Sequence, residues 1–221
     1  MTGSVTRLAI FDCDGTLVDG QASICEAMEA GFASANLTPP DRNAIRRMVG
    51  LSLPQALRHL APNASAETQA IAVQGYKDSF STARAEGRLR EPLYDGMAEL
   101  LGRLHRDSWL LAVATGKSDR GLNACLAMHD IADFFISLQT ADRHPSKPDP
   151  AMLLAALDEA EVDPAGAVMI GDTTFDIAMA RTAGVRAIGV AWGYHKPEEL
   201  LEEGADAVAR TMDELEALIR G

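Results

Sequence analysis

The strongest constraint on this chain is an alternation. From Asp95 to the C-terminus, short runs of apolar β-formers take turns with amphipathic stretches of helical period. Strands are expected at 109–114, 134–136, 167–170, 186–190 and 206–208. Helices are expected around them, at about 96–106, 118–128, 150–160, 175–183, 197–203 and 212–219. Strands separated by helices imply right-handed parallel crossovers. The expected fold class is therefore α/β, a three-layer, Rossmann-like parallel sheet.

One more strand, Arg7-Leu8-Ala9-Ile10-Phe11, stands far upstream of this series. Between them the pattern is helical only. Ile24, Ala27, Met28, Gly31, Phe32 and Ala35 recur at helical spacing until Pro39-Pro40 breaks the run. Asp41 is suited to cap a short helix through Met48, and further helices are expected at 53–60 and 65–85. The core is then discontinuous. Residues 1–17 and 90–221 form the α/β domain, and residues 18–89 form an inserted helical domain.

Composition narrows the function. The 221 residues are 47 % hydrophobic and 24 % charged, as a globular protein requires. A formal charge of −12 and the lack of a basic stripe argue against nucleic acid as a partner. No apolar run is long enough to span a bilayer, and no secretory signal is visible, so neither a membrane nor export is expected. Cys13, Cys25 and Cys125 are scattered without metal-site spacing, which points to a reducing, cytoplasmic setting. Oligomeric state is not legible.

In an open parallel sheet, ligands bind beyond the carboxyl ends of the strands. The first strand ends in Asp12 and Asp14, followed by Gly15-Thr16-Leu17-Val18-Asp19. The next ends in Thr115-Gly116-Lys117, and a later one in Gly171-Asp172-Thr173-Thr174-Phe175-Asp176. A loop between them, His144-Pro145-Ser146-Lys147-Pro148-Asp149-Pro150, offers a lysine just before a helix. Each piece alone has a plain structural explanation. Thr115 could stand in a helix cap region, Lys147 in a solvated loop, and Asp172 and Asp176 at a helix N-terminus. Together, in order, they supply nucleophile, proton handler, cation ligands and phosphoryl donors.

The four segments resemble the ordered motifs of haloacid dehalogenase superfamily hydrolases, over nearly the whole chain. The resemblance implies Asp12 as nucleophile, forming an aspartyl-phosphate. Asp14 would protonate the leaving oxygen and then activate water. Thr115, Gly116 and Lys147 would hold the phosphoryl group. Mg²⁺ would be bound by Asp12, the Asp14 carbonyl and Asp172, with Asp176 supporting from behind. The second aspartate distinguishes this pattern from the family's dehalogenases. The insert corresponds to a helical cap that reads the substrate, with Arg46 and Arg47 as candidate contacts or as plain surface arginines. Cap and tail look most like the phosphoglycolate phosphatase-like group. The expected function is thus Mg²⁺-dependent hydrolysis of a small phosphorylated metabolite, phosphoglycolate foremost. A β-phosphoglucomutase-like mutase, a pyrophosphatase and a non-catalytic binding protein are the alternatives. His144 and His195 are expected in loops that could reach the cleft.

Overall fold

The computed structural model describes residues 7–221, so the first six residues of the expected α/β domain lie outside it. Six parallel strands form one sheet: β1 (Leu8–Phe11), β2 (Leu110–Thr115), β3 (Ser137–Thr140), β4 (Ala167–Gly171), β5 (Arg186–Val190) and β6 (Ala207–Ala209). Their spatial order is β3-β2-β1-β4-β5-β6. Strand order reverses at β1, which lies between β2 and β4, and such a reversal opens a crevice at the carboxyl ends.

Side chains alternate across the sheet with period two. Ala9, Phe11, Leu111, Val113, Val168 and Ile170 face one apolar cluster, which is closed by α5 (Met97–Arg106), α6 (Asp119–Met128) and α10 (Met212–Arg220). Leu8, Ile10, Ala112, Ala114, Ala167 and Met169 face the other, closed by α7 (Ala151–Ala160), α8 (Thr174–Ala183) and α9 (Pro197–Glu203). Helix α5 shows the rule simply. Met97, Leu100, Leu101 and Leu104 make one buried stripe, while Arg103 and Arg106 stay at its last turn.

Between β1 and α5 run α1 (Gln21–Ser34), α2 (Arg42–Arg47), α3 (Leu53–Leu60) and α4 (Ala66–Ala85). They build a third cluster of their own, with Ile24, Met28, Phe32, Ile45, Leu57 and Ala72 at its centre. Asp41 caps α2 by accepting from the Ala44 N–H at 3.0 Å. No helix among the described residues is long and apolar enough to cross a membrane. Cys13 and Cys125 are buried with their sulfurs 4.0 Å apart, and Cys25 is buried in the helical insert.

One expected strand is displaced. Phe134-Phe135-Ile136 is not strand: Ala132–Phe134 forms a 3₁₀ turn, and β3 begins at Ser137. The aromatics are taken up by packing, since Phe134 and Phe135 join the α5–α6 cluster while Ile136 is 50 % exposed. The strand itself reads Ser-Leu-Gln-Thr and buries polar side chains at the sheet edge, where Gln139 donates to Ser137 at 2.8 Å and bonds His144 at 2.7 Å. An apolar-run criterion misses a strand of that composition.

Candidate active site

Asp12 follows β1 directly, and its N–H donates to the Ile170 carbonyl at 2.9 Å, locking the end of β1 to β4. Gly15 then turns the chain with φ +87°, and any side chain there would run into Asp172 and Tyr194. Asp172, just past β4, is held at both oxygens. The Thr16 hydroxyl donates to Oδ1 at 3.0 Å and the Tyr194 N–H to Oδ2 at 2.9 Å. Asp176 lies in the first turn of α8, where it and Thr173 form a reciprocal capping box. Its remaining oxygen accepts from Lys147 Nζ at 2.6 Å, and the same ammonium lies 2.8 Å from Asp12 Oδ1. These side chains are all buried.

One oxygen each from Asp12, Asp172 and Asp176 lies within 4.8 Å of the others. Asp12 Oδ2 is buried and receives no donor from the described residues. Three carboxylates facing one ammonium leave a formal −2 in a buried cluster. Burial pushes the Asp12 carboxyl up to about 7, with Asp176 and Asp14 adding to the rise and Lys147 opposing it. Burial likewise holds Asp172 well above the ordinary carboxylate range, and Asp12 and Asp176 reinforce it. Burial alone would depress Lys147, but Asp12 and Asp176 hold it above the usual lysine value. An oxygen-only cluster with two surplus negative charges fits a hard divalent cation.

A second lysine serves the second acid. Lys117 Nζ donates to Glu91 Oε1 at 2.5 Å and lies 3.0 Å from Asp14 Oδ1. Both lysines are arranged alike. Each hydrogen-bonds a supporting carboxylate, Asp176 or Glu91, and forms an ion pair with Asp12 or Asp14. Burial raises the Asp14 carboxyl, with Glu91 adding to the rise and Lys117 opposing it. Sequence reasoning missed Lys117 and Glu91. Lys117 carried a signal, since it follows Thr115-Gly116 at the end of β2, whereas Glu91 carried none.

Thr115 ends β2, is buried, and accepts from the Lys117 N–H at 3.3 Å. Gly116 lies directly beneath the insert, so a Cβ there would stand 2.6 Å from the Leu51 carbonyl and 2.7 Å from that of Gly50. A chamber of about 470 Å³ opens from Asp12, Asp14, Thr115 and Gly116 and is roofed by α1–α4. Arg46 and Arg47 do not line it. Arg47 pairs with Glu199 of α9 at 2.6 Å, and Arg46 faces a separate crevice of about 290 Å³ with Arg42 and Arg90. His195 lies in the loop after β5, as expected, and is buried there. Its Nδ1 accepts from the Thr174 N–H at 3.1 Å, which leaves Nε2 to donate to the Arg47 carbonyl at 3.2 Å. His144 is taken by Gln139.

Residues 9–190 match the haloacid dehalogenase-like hydrolase family. The chain belongs to that family. Within it, the protein is 35 % identical to the "Probable phosphatase IndB" of Dickeya dadantii over 213 residues, 94 % of this chain and 91 % of that one. It is 30 % identical to a phosphoglycolate phosphatase of Pseudomonas fluorescens over 223 residues, 99 % of this chain and 80 % of the relative. Among solved structures, a predicted phosphatase from Clostridium acetobutylicum superposes with a TM-score of 0.87 at 26 % identity, covering 98 % of this chain and 99 % of the other. This haloacid dehalogenase-like hydrolase is a phosphatase, with the parallel α/β sheet of that family. The buried Asp12, Asp172 and Asp176 could hold a metal ion.

Proposed function

We propose that this hydrolase is a cytoplasmic, Mg²⁺-dependent phosphomonoester phosphatase working through an aspartyl-phosphate on Asp12, with residues 18–89 acting as its cap. Phosphoglycolate is the leading substrate, by analogy with the names of its relatives. One observation carries the reading: the buried, donor-free Asp12 Oδ2 beside Asp172 and Asp176, at the floor of a chamber.

In this scheme Asp12 attacks phosphorus as the ester P–O bond breaks. Asp14 gives its proton to the leaving oxygen. It then takes a proton from the water that attacks phosphorus and frees Asp12. Thr115, the backbone at Gly116 and Lys147 hold the phosphoryl oxygens as charge moves onto them. Asp12, the Asp14 carbonyl and Asp172 would hold Mg²⁺, with Asp176 steadying Lys147 behind them. The cation, when bound, cancels the repulsion between the Asp12 carboxylate and the phosphoryl dianion. Lys117 and Glu91 keep Asp14 in place for both proton transfers. Phosphate release from phenyl phosphate with and without Mg²⁺ tests the scheme. Metal-dependent turnover supports it, and equal rates with and without Mg²⁺ would refute it.

A further inference from the structure

Helix α4 sets Tyr76, Phe80 and Arg84 at i, i+4 and i+8, one column along the face that lines the chamber. The Tyr76 and Phe80 rings stack at 5.5 Å and 20°, and the Arg84 guanidinium lies 5.7 Å from the Phe80 centroid. Arg84 Nε and Nη2 are buried and have no hydrogen-bond partner among the described residues. These two nitrogens form the edge of the guanidinium that grips an oxyanion with two parallel bonds. Arg42 uses that same edge on Glu29, at 2.7 and 3.0 Å. An arginine keeps its charge, so donors buried without a partner are costly unless a ligand completes them. A chain with 32 acidic residues has no shortage of carboxylates to pair with, yet none is spent here.

The surroundings agree. Lys77 and Arg120 line the chamber with Arg84, while Asp142 is already engaged by the Asp119 N–H at 2.8 Å. Met28, Ile45, Val49 and Leu51 add an apolar stretch of wall. At about 470 Å³ the chamber falls within the roughly 300–1,000 Å³ of sites that enclose whole small molecules, so it has room beyond a two-carbon acid. We propose that Arg84 binds an anionic group on the leaving group. The substrates are then phosphomonoesters with a second anionic centre, carboxylate or phosphate, on a body that lies against Tyr76 and Phe80. Phosphoglycolate is the smallest member of that class. The proposal rests on the phosphatase reading above and adds its substrate class.

The test compares kcat/KM, with Mg²⁺, within pairs that differ in one anionic group. Phosphoglycolate is set against ethyl phosphate, 4-carboxyphenyl phosphate against phenyl phosphate, and propane-1,3-diol bisphosphate against propyl phosphate. The wild type is expected to favour the anionic member of at least one pair by about tenfold to 10³-fold, the range for a desolvated charge contact. The favoured pairs say whether carboxylate or phosphate is read. Arg84→Met brings that ratio near one, and Arg84→Lys leaves it in between. A variant that merely loosens the cap slows both members of a pair and leaves the ratio alone. A wild-type ratio near one in every pair, or a ratio unchanged in Arg84→Met, overturns the proposal. Should Arg84→Met not fold, the wild-type ratios and Arg84→Lys still decide. Failure of the phosphatase reading is distinct, because it abolishes Mg²⁺-dependent release even from phenyl phosphate, which has no second anion.

Discussion

Asp14 and Lys117 offer the sharpest residue-level test. Lys117 pairs with Asp14 at 3.0 Å and is tethered by Glu91, so it is placed to serve Asp14 by orientation and charge. Protonation of the leaving oxygen matters most when that oxygen is a poor leaving group. Lys117→Met should therefore lower kcat/KM for an alkyl phosphate by about 10²-fold, and for 4-nitrophenyl phosphate by far less. Equal losses on both substrates would show that Lys117 only supports the fold. On the other side of the site, Lys147→Met removes the one cation among three buried carboxylates. Breaking such a cluster costs about 3–5 kcal/mol of stability in metal-free protein, measurable by urea unfolding. The acids and Lys147 were legible because each follows a strand or precedes a helix. Glu91 was not, because its burial depends on Lys117, 26 residues away. A single charged residue beside Pro92 gives no local sign of that.

At the scale of elements, the loop between α2 and α3 is the piece that joins insert to sheet. Gly50 packs over Thr173, the Leu51 carbonyl over Gly116, and the Ser52 N–H donates to Ser146 Oγ at 2.8 Å. Arg47 and its carbonyl add the contacts to Glu199 and His195. Gly116→Ala puts a methyl group against the Leu51 carbonyl, so the loop must lift from the site. The expected result is a drop in kcat/KM of about 10²-fold, since small misplacements at a reacting centre have that effect. Thermal unfolding measured alongside should move little, because the sheet core is untouched. Helical periods and strand-end residues made the order of elements readable in advance. The polar edge strand β3 was hidden because its buried side chains are hydrogen-bonded rather than apolar. Arg46 and Arg47 were drawn to the site by type and by their place just before Met48-Val49-Gly50-Leu51. The true direction of α2 turns one onto α9 and the other into a separate crevice, and no spacing rule encodes that turn.

At the scale of the whole molecule, charge and closure are linked. The −12 chain gathers three buried carboxylates and one lysine, a formal −2, at the switch point of the sheet, so cation binding should stabilise the fold by mass action. Mg²⁺ is expected to raise Tm in the wild type and to do so much less in Asp172→Asn, as differential scanning calorimetry would report. The His195 latch between insert and sheet gives a pH signature. Burial, helped by Arg47, holds the imidazole below its ordinary 6.5. Below pH 6.5 the unfolded chain takes up a proton that the folded protein still refuses, so the latch's contribution is lost as pH falls from 6.5 toward the folded value. Stability should thus decline over that window more steeply in wild type than in His195→Gln, whose amide can still accept from Thr174 and donate to Arg47. The central claim is that Asp12, beside a bound Mg²⁺, makes the covalent attack. Phosphate release from phenyl phosphate in Mg²⁺ by wild type and Asp12→Asn tests it most directly. The account predicts a loss of about 10⁴-fold or more in the variant, the scale for removing a nucleophile, and turnover near the wild-type rate would contradict it.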